Sequence, residues 1–145
     1  MTVCFFSITA HAVSFHTAQQ QLLCELNGGY EDAGAGIMAA GQVDNYQLEM
    51  LIYRIEEILE SQGEQLPAGA EAISNDPLIH QVCEQYLGGE KVISQQSIET
   101  AFNQLADRLS YAPIALSASQ IPVFCYFVFL REMSHHLHIL SLQAG

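Results

Sequence analysis

Hydrophobic positions recur at helical spacing along most of the chain, and in one stretch they leave no polar side at all. That stretch is Val123-Phe124-Cys125-Tyr126-Phe127-Val128-Phe129-Leu130, at the head of a segment from Ile121 to Leu142. Eight consecutive apolar side chains have to be covered all round. Arg131 and Glu132 interrupt the run well short of the roughly 20 residues that a bilayer crossing needs. The pattern predicts a central buried helix, with Ser119 as its N-cap and Pro122 in its first turn.

Three further helices are predicted by the same logic. Over Asn45 to Gln62, Leu48, Leu51, Ile52, Ile55, Ile58 and Leu59 share one face, Asp44 with Gln47 makes a capping box, and Gly63 offers a C-cap. The opposite side carries Glu49, Glu56, Glu57 and Glu60, and Glu56 and Glu60 repel each other four residues apart. Residues 63–75 read as a surface loop around Leu66-Pro67. The next helix begins at Asn75 or Asp76 with Pro77 in its first turn, buries Leu78, Ile79, Val82, Tyr86 and Leu87, and stops at Gly88-Gly89. A third, capped by Ser94 or Ser97, runs to about Ser110 and buries Ile98, Ala101, Phe102, Leu105 and Leu109.

The chain start is ambiguous. Within residues 2–16, Cys4, Phe6, Ile8, Ala10 and Ala12 alternate as in a strand, but a short apolar run is equally compatible with a buried helix. Residues 17–27 read as helical through Leu22, Leu23 and Leu26, with Asn27-Gly28-Gly29 as the stop. Residues 137–142 either continue the last helix or return as a strand beside residues 3–10. The expected fold is therefore mainly α: residues 1–145 as one domain of about five helices around the C-terminal apolar helix, with at most a small β element from the two termini.

Charge narrows the functional classes. Sixteen acids face four bases, and charged residues are only 14% of the chain, against about 25% in typical domains. Nucleic-acid and anionic-membrane binding are not expected, because both need clustered Lys and Arg. The sparse charge suggests a partly covered surface, most simply a homodimer. No base precedes Arg54, so the basic start of a secretory or mitochondrial leader is missing, and a cytoplasmic location is expected. Cys4, Cys24, Cys83 and Cys125 form no C-x-x-C pair and read as reduced thiols.

Motifs for chemistry are few. The glycines of residues 28–41 match neither G-x-G-x-x-G nor a P-loop, and Glu31 and Asp32 would repel phosphate. His11 and His16 read as structural. Glu132-x-x-His135 puts a carboxylate and an imidazole on one helical face, with His136 and His138 adjacent, and His80-x-x-Cys83 is a second such pair. Together Glu132, His135 and His138 with His80 or Cys83 are the candidate ligands for zinc or iron in a metal-binding helical bundle.

The leading expectation is a small acidic interaction protein: an immunity protein, antitoxin-like inhibitor or adaptor. Glu49, Glu56, Glu57 and Glu60 would bind a basic protein partner, with no cofactor. The metal-binding bundle and a structural subunit of a homo-oligomer are the alternatives. No motif demands an enzyme.

Overall fold

The computed structural model describes residues 3–39, 41–61 and 71–145. The predicted C-cap at Gly63, the helix end at Gln62 and the turn at Leu66-Pro67 lie outside the described residues.

The chain start forms an antiparallel meander of β1 (Val3–Ile8), β2 (Ala12–Thr17) and β3 (Leu22–Asn27). Cys4, Phe6 and Ile8 point into the core, as their alternation predicts. The turn after Ile8 resets the phase, so that Val13 and Phe15 rather than Ala10 and Ala12 continue the buried row. Residues 17–27 are not helical. Thr17 closes a turn by accepting the backbone N–H groups of Gln19 and Gln21 on its hydroxyl, and Gln20 adopts φ 67°, a left-handed turn conformation. The leucines that looked like a helical stripe then enter β3, where Leu26 is buried and Leu22 is exposed.

After α1 (Tyr30–Gly34) and the short β4 (Gly41–Val43) comes α2 (Asn45–Glu60). Its capping box forms as the sequence pattern predicts: Asp44 accepts from Gln47 N at 2.8 Å, and the Gln47 side chain accepts from Asp44 N at 2.8 Å. Then follow β5 (Glu71–Ser74), α3 (Pro77–Tyr86), β6 (Val92–Ser94), α4 (Gln95–Tyr111), β7 (Ile114–Leu116), α5 (Gln120–His136) and β8 (Ser141–Ala144).

Six strands make one mixed sheet in the order β3-β2-β1-β5-β8-β6, with β1, β5 and β8 parallel. β4 and β7 pair separately. The mainly α expectation is thus wrong; the protein is α/β. Besides residues 22–27, expected to be helical and found as β3, two short segments carry the error. Glu71-Ala72-Ile73-Ser74, read as loop, is an inner strand, and β8 pairs with β5 rather than with residues 3–10. Strands of four residues carry too little alternation to be recognised by period alone.

Helix α5 is buried from Val123 to Leu130 and packs against α1, α2, α3 and α4. The apolar run that demanded cover is covered by the chain's own elements. One sheet face supplies Phe6, Phe15, Ala72 and Leu142 to the same core, while Val3, Phe5, His16 and Gln143 on the other face are half-buried or exposed. No described helix is long and apolar enough to cross a membrane.

Candidate functional site

Two groups of polar side chains stand out, and both touch α5. The first lies where the parallel strands β1 and β5 end, the edge at which α/β sheets take ligands. Asp76 follows β5 and precedes α3. Its Oδ1 accepts from the Ser7 hydroxyl at 2.7 Å, and its Oδ2 accepts from Ile8 N at 2.8 Å and the Tyr126 hydroxyl at 2.7 Å. Ser74 Oγ accepts from Asp76 N at 3.1 Å. Burial, reinforced by the Asp76 carboxylate, pushes the Tyr126 phenol well above its ordinary pKa, so it stays a donor. Asp76 therefore ties β1, β5 and α5 together.

Beside it, the turn between β1 and β2 lies against the start of α1. Tyr30 N donates to Thr9 O at 3.1 Å and Glu31 N to Ala10 O at 3.1 Å, so these amides are occupied. A Cβ on Gly29 would overlap the Thr9 carbonyl oxygen, which is why glycine stands there. Asp32 accepts from Gly29 N and faces His11 Nδ1 at 3.1 Å; those contacts lower its pKa despite slight desolvation, the Gly29 bond most. A hollow of about 470 Å³ adjoins this turn, with Gly28, Asp32, Arg54 and Glu57 in its wall.

The second group is a seam of carboxylates and imidazoles between the ends of α2, α4 and α5. Arg131 donates from Nε to Glu99 Oε1 at 2.8 Å and from Nη1 to Glu132 Oε2 at 2.6 Å, and its guanidinium covers the Phe102 ring at 4.2 Å. Burial works against the charge on Glu99, but bonds from Arg131 and His135 outweigh it and hold the carboxyl below its usual range. Burial likewise opposes the charge on Arg131, and its two carboxylate partners overcome it. His136 Nε2 lies 3.1 Å from Glu56 Oε2 and 3.6 Å from Glu132 Oε1, while its Nδ1 faces Glu60 Oε1 at 3.9 Å.

The residues singled out from sequence are distributed unevenly over these groups. Glu56 and Glu60 join the seam, whereas Glu49 and Glu57 are exposed elsewhere on α2. Glu132 lies at the centre of the seam and is buried. His135 pairs with Glu99, and His138 shares a hollow with His135 and Ser134. His80 and Cys83 sit on α3, and Cys83 is part of the core. Among the described residues, the one set of three or more metal-type ligands with donor atoms within 4.8 Å of each other is Glu56, Glu132 and His136. The imidazole that meets Glu132 is that of His136, at E-x-x-x-H spacing, and not that of His135 at E-x-x-H. The Arg131–Glu99 pair and the Ser7–Asp76–Tyr126 contacts carry no sequence signal, because these partners are distant in the chain. The cysteines are poor nucleophiles: burial raises all four, Cys125 to about 12.

No protein-family model and no curated protein matches the chain. Solved structures do. The chain matches a PPX-GPPA enzyme of Aquifex aeolicus with a TM-score of 0.68 at 8% identity, over 100% of this chain and 53% of the other. A crystal structure of the type II variant of the Aquifex aeolicus Ppx/GppA phosphatase gives a TM-score of 0.67 at 7% identity, over 99% and 52%. An exopolyphosphatase-like protein gives 0.65 at 9% identity, over 100% and 56%. The chain thus spans about half the length of the structures it matches. The expected inhibitor, immunity protein or adaptor rested on a mainly α domain with an acidic helical face, and it falls with that fold. The metal-binding helical bundle falls for the same reason, and the purely structural subunit loses its ground because α5 is covered within the chain. What the sequence similarity is too low to carry, the architecture does: this chain has the fold found in half of a Ppx/GppA-type phosphatase.

Proposed function

We propose that this chain is one half of a phosphate-releasing hydrolase, acting on phosphoanhydrides or phosphate esters in a cleft whose one wall is the C-terminal edge of its sheet. The supporting observation is the match of the entire chain to half of proteins described as phosphatases and exopolyphosphatase-like. An equal length of those proteins lies outside the match, so the opposite wall comes from a second half, whether another segment or another subunit.

On this wall the edge offers Thr9, His11 and Asn75, exposed polar groups suited to a hydrated, oxygen-rich substrate. Cations are scarce there, and Arg54 is the base nearest the adjoining hollow. With sixteen acids to four bases, the chain repels a polyanion unless a divalent ion screens it. Binding is therefore expected to depend on Mg²⁺, which bridges carboxylates and phosphate oxygens.

The test is phosphate release and thermal shift with inorganic polyphosphate, with Mg²⁺ and with EDTA. Release of phosphate, or a stabilisation by polyphosphate that needs Mg²⁺, supports the reading. A folded protein that shows neither, at concentrations where any dimer would form, overturns it.

A further inference from the structure

We propose that Glu56, Glu132 and His136 form a binding site for a divalent transition-metal ion of the zinc type, where the last turns of α2 and α5 meet. The site is separate from the sheet edge and does not depend on the hydrolase reading.

Geometry is the first support. Two ligands of a tetrahedral zinc ion, each at about 2.0–2.2 Å from it, stand about 3.3 Å apart. His136 Nε2 stands 3.1 Å from Glu56 Oε2 and 3.6 Å from Glu132 Oε1, on both sides of that value. A hydrogen bond explains only half of this. One Nε2 proton serves one carboxylate, and 3.6 Å is beyond hydrogen-bond range, whereas one cation serves all three atoms.

Electrostatics is the second. Helix C-terminal ends carry partial negative charge and favour cations. Helix α2 ends with Glu56, Glu57 and Glu60 and has no base in its last turn, the reverse of what its dipole favours. The end of α5 supplies His135 and His136 to the same place. Arg131 neutralises part of the local charge, but it is shared between Glu99 and the far oxygen of Glu132. Oε1 is the Glu132 oxygen that faces the imidazole.

The chemistry of the ligands selects the ion. One imidazole and two carboxylates suit zinc, cobalt or iron better than magnesium or calcium, which prefer oxygen-only shells. Three protein ligands leave a fourth position for water, and His136 and Glu56 are exposed enough, at 28% and 36% of their side chains, to let an ion enter. Glu60 lies on the side of the other ring nitrogen, at 3.9 Å, too far to hydrogen-bond it and so only a long-range negative charge there.

The experiment is titration of the metal-free chain with Co²⁺, read by visible absorption, with Zn²⁺ competition. One equivalent with tetrahedral Co²⁺ bands, displaced by Zn²⁺, is expected. His136→Gln and Glu56→Gln, both at half-exposed positions, should each weaken binding by more than about tenfold, and Glu60→Gln by less. His138→Ala should leave it unchanged. The proposal fails if the folded chain binds no Co²⁺, which would leave His136 only a hydrogen-bond partner of Glu56. It fails equally if binding survives His136→Gln or disappears with His138→Ala.

Discussion

Asp76 is bonded to Tyr126 of α5, and Glu132 lies on α5 six residues further on, about 9 Å along the helix from Tyr126; the two carboxylates are satisfied in opposite ways. Asp76 receives two hydroxyls and one backbone amide, all neutral donors, from β1 and from Tyr126. Glu132 meets an arginine, which is always charged, and an imidazole, both at the ends of flexible side chains. The Asp76 clamp is fixed by backbone and core, so it exchanges nothing and holds three elements in register. At the proposed metal site, the seam around Glu132 would take up an ion between side chains at helix ends, without moving a strand. Rigidity and exchangeable charge are thus placed on separate parts of one helix.

This contrast can be broken first at the clamp. Asp76→Ala leaves the Ser7 hydroxyl, Ile8 N–H and Tyr126 hydroxyl without their acceptor. Ser7 is half-buried and the Tyr126 hydroxyl keeps Ser74 Oγ at 3.4 Å, so with each orphaned buried donor costing about 1–3 kcal/mol a loss of about 3 kcal/mol is expected in urea unfolding. Gly29→Ala strikes the same region through the backbone. Its Cβ would enter the Thr9 carbonyl, so the β1–β2 turn and α1 must separate, at about 3 kcal/mol in the same measurement.

The seam should respond to pH instead. The Glu99 carboxyl is lowered in the folded chain, so its contribution to stability is present above its ordinary value of 4.5 and is lost as pH falls through the depressed folded value. Glu99→Gln should therefore flatten the acid side of a melting-temperature profile below pH 4.5, its difference from the unaltered chain shrinking as pH falls through the depressed folded value. An unchanged acid slope would mean that Arg131 does not rely on Glu99. The smallest effect sharpens the contrast from outside: Glu49→Gln with Glu57→Gln, both exposed, should shift stability by less than about 0.5 kcal/mol and leave Co²⁺ binding intact.

Legibility in the sequence followed the range of the interactions. Helix α2 with its Asp44–Gln47 box, α3 behind Pro77, and α4 behind Ser94 were readable because each is decided by neighbours within a few residues. The metal ligands were half readable. Glu132 stands out in the sequence, but its imidazole partner is His136, one residue beyond the His135 that the i, i+3 spacing suggests. Glu56 was assigned to a different role because nothing local joins α2 to α5. The strands were the principal loss, since β5 and β8 have four residues each and are strands only because each pairs with the other and with a third.

By itself the sequence determined that residues 123–130 must be buried, that the stripes on three helices face a core, and that phosphate or nucleic acid could not be held by clustered bases. These are consequences of apolar burial and composition, and they hold for any arrangement of the chain. Only the tertiary structure decided that the chain is α/β, that Asp76 clamps β1 to α5, and that Glu56, Glu132 and His136 converge. Hydrogen bonds between strands, and donor atoms that meet within a few ångströms, depend on positions that the chain brings together only when it folds.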